Sequence, residues 1–147
     1  MFNPKEMEWL ERVQEKTILF KRKVSLLVKE NLEPLGITPF QLQILWLLGK
    51  DGEMGTTQLA EKLKVKPSAV TMGTNQLHKR GWLNRIHLES DRRQIRITLT
   101  AEGERLLMKA KGTHNQLASE LFSCFDEKEL ADFFCLVDKL EQNTFVK

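Results

Sequence analysis

Between residues 94 and 99 the hydrophobic pattern changes period. Gln94, Arg96 and Thr98 alternate with Ile95, Ile97 and Leu99. A repeat of two puts polar side chains on one face and apolar ones on the other, as a half-buried strand requires. Residues 82–88 are its expected antiparallel partner, less cleanly patterned. Glu89-Ser90-Asp91-Arg92-Arg93 forms the connection, so the expected two-stranded hairpin has a basic tip.

What precedes the hairpin is helical. Thr56 or Thr57 caps a short helix containing Leu59, Ala60 and Leu63, and Pro67 begins another that runs to Arg80 and stops at Gly81. Two short helices joined by about three or four residues have helix-turn-helix spacing, and the hairpin that follows reads as a wing. Further upstream, residues 5–33 read as a long helix with Trp9, Val13, Phe20, Val24 and Leu27 on one face, ended by Pro34 and Gly36. Thr38-Pro39-Phe40-Gln41 then has the form of a capping box with proline at the first helical position. Leu42, Leu45, Trp46 and Leu48 supply apolar surface, and residues 49–55 read as a turn. After Thr100 the helical period returns, with Leu106, Ala110, Leu117 and Leu121 in one stripe. A second stripe follows the Asp126/Glu129 cap: Leu130, Phe133, Val137 and Leu140.

The expected fold is therefore mainly α with a small β-hairpin wing. At 147 residues the chain has the size of a single domain. Residues 38–100 form the winged helix-turn-helix region, and residues 1–37 and 101–147 a helical region. The amphipathic helices at both ends exceed what the small central module covers, and a twofold homodimer is the simplest way to bury them.

Charge is unevenly spread. Residues 55–100 hold nine Lys/Arg and three Asp/Glu, a net of +6, whereas the rest of the chain nets −3. A basic block between mildly acidic flanks points to a polyanion partner. No segment approaches the ~20 apolar residues of a bilayer span, and the N-terminus lacks a signal-peptide apolar run. A cytoplasmic protein without a membrane partner is expected. Cys124 and Cys135 have neither zinc spacing nor a disulfide framework and are expected as buried thiols. No Gly-rich phosphate loop, nucleophile motif, paired-acid frame or metal-ligand spacing is present, so no enzymatic activity, metal or cofactor is expected.

The run Asp91-Arg92-Arg93-Gln94-Ile95-Arg96-Ile97-Thr98-Leu99-Thr100-Ala101-Glu102-Gly103 resembles the wing of the MarR family of bacterial winged-helix regulators, which reads Asp-x-Arg, a strand, Leu-Thr, two residues, Gly. Val70-Thr71 to Leu77, then Lys79-Arg80-Gly81-Trp82-Leu83, is similar to the family's recognition helix and its exit. The resemblance implies a dimer that binds double-stranded DNA on a pseudo-palindromic operator, usually as a repressor and sometimes as an activator, and is often released by a small molecule or by oxidation.

With residues 67–80 as recognition helix, Val70, Gly73, Thr74 and Leu77 face inward at 100° per residue. The opposite stripe is Ser68, Met72, Asn75 and Lys79, flanked by Thr71 and Gln76. These six are the candidates for the major groove, with Asn75 and Gln76 suited to adenine edges. Many family members place Arg near Met72 and an acid near Asn75, so the base preference is expected to differ from theirs. Gly73 costs about 1 kcal/mol relative to Ala inside a helix, which implies close approach to another helix or to DNA. Lys79, Arg80 and His78 are placed near phosphate. At the wing, the resemblance implies that Arg93 enters a minor groove with Asp91 as its brace, while Arg92, Arg85 and Arg96 are candidates for phosphate. The resemblance also implies a small aromatic or anionic effector between the terminal helices and the winged module, beside Phe20 and Trp46, two residues whose ordinary role is structural core. The competing reading is a winged-helix protein-interaction module without specific DNA binding.

Overall fold

A computed structural model describes residues 1–144, apart from the side chains of Arg92 and Arg93. Helix α1 spans Pro4–Leu32 and begins at an Asn3/Glu6 capping box. A single 3-10 turn, Glu33–Leu35, leads to α2, Pro39–Asp51. The Thr38 hydroxyl accepts from the Gln41 N–H, and the Gln41 side chain accepts from the Thr38 N–H, as the sequence predicts. Strand β1 is Met54–Gly55, α3 is Thr56–Leu63 and α4 is Pro67–Lys79. Strands β2, Leu83–Leu88, and β3, Asp91–Leu99, form the wing, followed by α5, Ala101–Phe122, and α6, Glu127–Asn143.

Two expectations about the sheet are corrected. The sheet has three strands in the order β1-β3-β2, because Met54 pairs with Ile97 and Gly55 with Arg96. The wing connection narrows to Glu89-Ser90. Strand β3 begins already at Asp91, opposite Leu88, but regular register resumes only at His87↔Ile95. The extra residues on β3 interrupt the ladder at the tip, as in a bulge.

Helix α2 lies at the centre of the core. Its Ile44, Leu45 and Leu48 pack among Leu59, Val70 and Leu77 of α3 and α4, Leu83 and Ile97 of the sheet, and Leu106, Leu107 and Ala110 of α5. Burial of this aliphatic set is the main force holding the winged module together. Gly73 is explained by α2: a Cβ there would stand 2.9 Å from Ile44 Cδ1 and 3.2 Å from Phe40 Cε1.

A latch joins the end of α4 to the start of α5. Gly81 turns the chain with φ 79°. Thr100 donates its hydroxyl to Gly81 O at 2.7 Å and its N–H to Trp82 O at 3.1 Å, and that same hydroxyl accepts from the Gly103 N–H at 3.0 Å. One threonine thus caps α5 and ties it to the exit of α4.

The terminal helices are less covered. On α1 only Leu32 is buried, and α6 has no buried residue. Trp9, Val13, Phe20 and Leu27 of the expected α1 stripe are exposed, as are Leu130, Phe134, Leu136, Val137 and Leu140 on α6. Phe122, Phe125 and Phe133 cluster at the α5–α6 corner, with ring centroids 5.6–6.2 Å apart. Cys124 and Cys135 are exposed on the single chain, contrary to the expectation of buried thiols.

Candidate nucleic-acid interface

Helix α4 presents two faces. Val70, Gly73, Thr74 and Leu77 are its buried residues. Ser68, Thr71, Met72, Gln76 and Lys79 are exposed and Asn75 is half-buried. Met72 stands out at 65% exposure, a large apolar side chain without cover in the middle of a polar stripe.

Several of the candidate side chains are held by neighbours. Arg85 on β2 reaches across to α4, where its guanidinium donates to Asn75 Oδ1 and, at 3.4 Å, to Thr74 Oγ1. Gln76 Oε1 accepts from Gln41 Nε2 at 2.7 Å. Thr71 donates its hydroxyl to Pro67 O within the helix. Arg96 donates to Gln58 Oε1 at 3.0 Å and lies 3.6 Å from Glu53, which ties β3 to the start of α3. Arg85 and Arg96 are therefore more than solvated strand residues.

Arg80 and His78 also have partners inside the chain. Arg80 donates to Gly36 O at 2.6 Å and lies over the Trp82 ring at 4.2 Å, so it joins the exit of α4 to the turn before α2. His78 Nδ1 is 2.8 Å from Leu83 O. Pattern alone could not reveal these anchors, because their partners are backbone carbonyls brought near only by the fold. Asp91 is exposed, and the side chains of Arg92 and Arg93 lie outside the described residues.

A family model described as the MarR family matches residues 37–95, from the last residue before the α2 cap to the wing. The HTH-type transcriptional repressor MdtR of Bacillus subtilis is 33% identical over 113 residues, which cover 77% of this chain and 73% of that protein. The chain belongs to the MarR family. It is a DNA-binding transcription regulator with a winged-helix fold. The crystal structure of YusO from Bacillus subtilis superposes with a TM-score of 0.76 at 27% identity, covering 97% of this chain and 100% of that one. Apo MarR of E. coli superposes at 0.75 with 25% identity, covering 86% and 94%. Within this MarR-family fold, no helix of the described residues is long and apolar enough to cross a membrane.

One cavity, of about 360 Å³, lies away from the α4 stripe, where α1, α2, α3 and α5 meet. Val28, Leu42, Trp46, Leu63, Lys62 and His114 are among its lining residues, and Lys111 Nζ sits 4.9 Å over the Trp46 ring. Trp46 thus lies where an effector was expected, whereas Phe20 does not line this cavity and is exposed on α1.

Proposed function

We propose that the protein acts as a homodimeric repressor that inserts α4 into the major groove of a pseudo-palindromic operator. The observation that carries this reading is the split of α4 into a packed face and an opposite face of exposed Ser68, Thr71, Met72, Gln76 and Lys79 with half-buried Asn75. Met72 suits a thymine methyl group, the polar residues suit base edges, and Lys79 suits phosphate. At the wing, Arg93 enters the minor groove with Asp91 as brace, and Arg92 meets phosphate. Arg85 and Arg96 keep N–H groups beyond their internal bonds for the phosphates beside the wing.

Residues 1–37 and 101–147 supply the dimer contact. The uncovered apolar faces of α1 and α6 support this reading. MdtR is named a transcriptional repressor, which supports the same outcome here. The Trp46 cavity, apolar with Lys62 at its wall and Lys111 beside it, suits a small aromatic anion that releases DNA. Thermal-shift measurements with aromatic acids check that point, and stabilisation is the expected result.

Selection of duplexes from a random pool, by the wild type and by Arg93→Ala, tests the whole reading. An enriched imperfect palindrome, with half-sites about one helical turn apart and weakened binding by the variant, is expected. No enrichment, with binding unaffected by Arg93→Ala, would favour a protein-interaction module.

A further inference from the structure

We propose that α4 reads its bases with hydrogen-bond donors, and that Gln41 and Arg85 are the positioning residues that set this polarity. The inference rests on α4 being the DNA-reading helix. An amide side chain has an oxygen end and a nitrogen end of nearly equal shape, and its orientation follows from its partners. Here both orientations trace back to groups that only donate. The backbone N–H of Thr38 donates to Gln41 Oε1 at 3.0 Å, which turns Gln41 Nε2 toward α4. That Nε2 donates to Gln76 Oε1 at 2.7 Å. The end of Gln76 left over is its NH2 group. Arg85, whose guanidinium cannot accept, donates to Asn75 Oδ1 and leaves the Asn75 NH2 group over in the same way. Among the described residues no hydrogen bond occupies either NH2 group. Gln41 is buried, so water competes little at its end of the relay, while Gln76 is exposed and faces outward.

Two consecutive residues of the α4 stripe thus offer N–H groups rather than a paired oxygen and nitrogen. Bidentate reading of adenine needs both: an oxygen to accept from N6 and a nitrogen to donate to N7. Guanine presents two acceptors, O6 and N7, and thymine presents O4, whereas cytosine presents only its N4 donor. The geometry therefore favours guanine, then thymine, at the base positions facing Asn75 and Gln76. This revises the adenine expectation drawn from residue type alone.

Selection from a pool of random 30-base-pair duplexes by the full-length protein tests the inference. Gln76→Ala identifies the base position that Gln76 reads. In the wild type that position is expected to be guanine or thymine, preferred roughly tenfold over adenine or cytosine. Gln41→Glu keeps the cap on Thr38, since Glu is the usual residue of a capping box. Its second oxygen only accepts, so Gln76 must turn its NH2 inward and its oxygen outward. The preference at that one position should then invert toward adenine or cytosine by a similar factor, with circular dichroism checking that the variant, which buries a carboxylate, stays folded. Arg85→Ala, on the half-buried strand face, gives an independent arm. It frees Asn75 Oδ1 and should raise adenine at the position Asn75 reads. A site identical in the wild type, Gln41→Glu and Arg85→Ala would overturn the inference while leaving DNA reading by α4 intact. Adenine or cytosine at the Gln76 position in the wild type would overturn it equally. No selected site at all for the wild type would overturn the DNA-reading role of α4 together with it.

Discussion

Gly103 packs its Cα against the main-chain carbonyl of Trp82 so closely that a methyl group has no room there. The obstacle is backbone, and that backbone is fixed twice over, since Trp82 O also accepts from Thr100 N–H. Gly103→Ala must push apart the exit of α4 and the start of α5. A loss of about 2–3 kcal/mol is expected, read as a thermal midpoint lowered by roughly 5–10 °C.

Gly73 gives the contrasting case. The atoms that crowd its missing Cβ are the ends of Ile44 and Phe40 side chains, which can shift. Alanine also gains about 1 kcal/mol of helix propensity. Gly73→Ala should therefore stay within about 1 kcal/mol of the wild type in urea unfolding. Gly73→Leu, which has no such space against α2, should cost more.

Arg80 and Lys79 are adjacent cations with different duties. Arg80 bonds Gly36 O and covers Trp82, whereas Lys79 is exposed on the reading face. Arg80→Ala should lower the thermal midpoint. Lys79→Ala should leave it unchanged and reduce the salt slope of DNA binding by about 1 per subunit.

Asp51 links α2 to α3. The hydrogen bond from Lys62 at 2.9 Å, reinforced by the charges of Lys62 and Lys50, holds its carboxyl below the usual aspartate range. A depressed acid adds stability above its unfolded pKa and loses it as the pH falls through the lowered folded value. The contribution is complete at neutral pH, begins to fall at about pH 4 and is gone once the pH is below the lowered folded value. It is small, because the pair is exposed. The gap between wild type and Asp51→Asn in urea midpoint should be small but present at about pH 7 and should narrow as the pH falls below about 4.

Helices α2 and α4 were legible because they carry their own punctuation: Thr38, Pro39 and Gln41 at the start of α2, Pro67 and Gly81 around α4; the cap of α3 was misplaced, since Gly55 rather than Thr56 or Thr57 stands there. The inward face of α4 followed from spacing alone. Strand β1 was not legible, since two residues inside a glycine-rich turn carry no period and pair only once β3 is in place. Nor were the internal partners of Arg80, Arg85, Arg96 and Gln76. Each bond spans from 10 to 44 residues, and no local pattern encodes it. The exposed cysteines were misread because Cys124 lies in the turn between α5 and α6 and Cys135 on α6, a helix that one chain leaves without a buried residue.

The salt dependence of affinity for a selected duplex tests the central claim most directly. A dimer that places Lys79, Arg85, Arg92 and Arg96 of each subunit on phosphate should neutralise about eight phosphates, so log Kd should rise with log salt concentration with a slope of about 7. A slope near zero would contradict insertion of α4 and the wing into DNA.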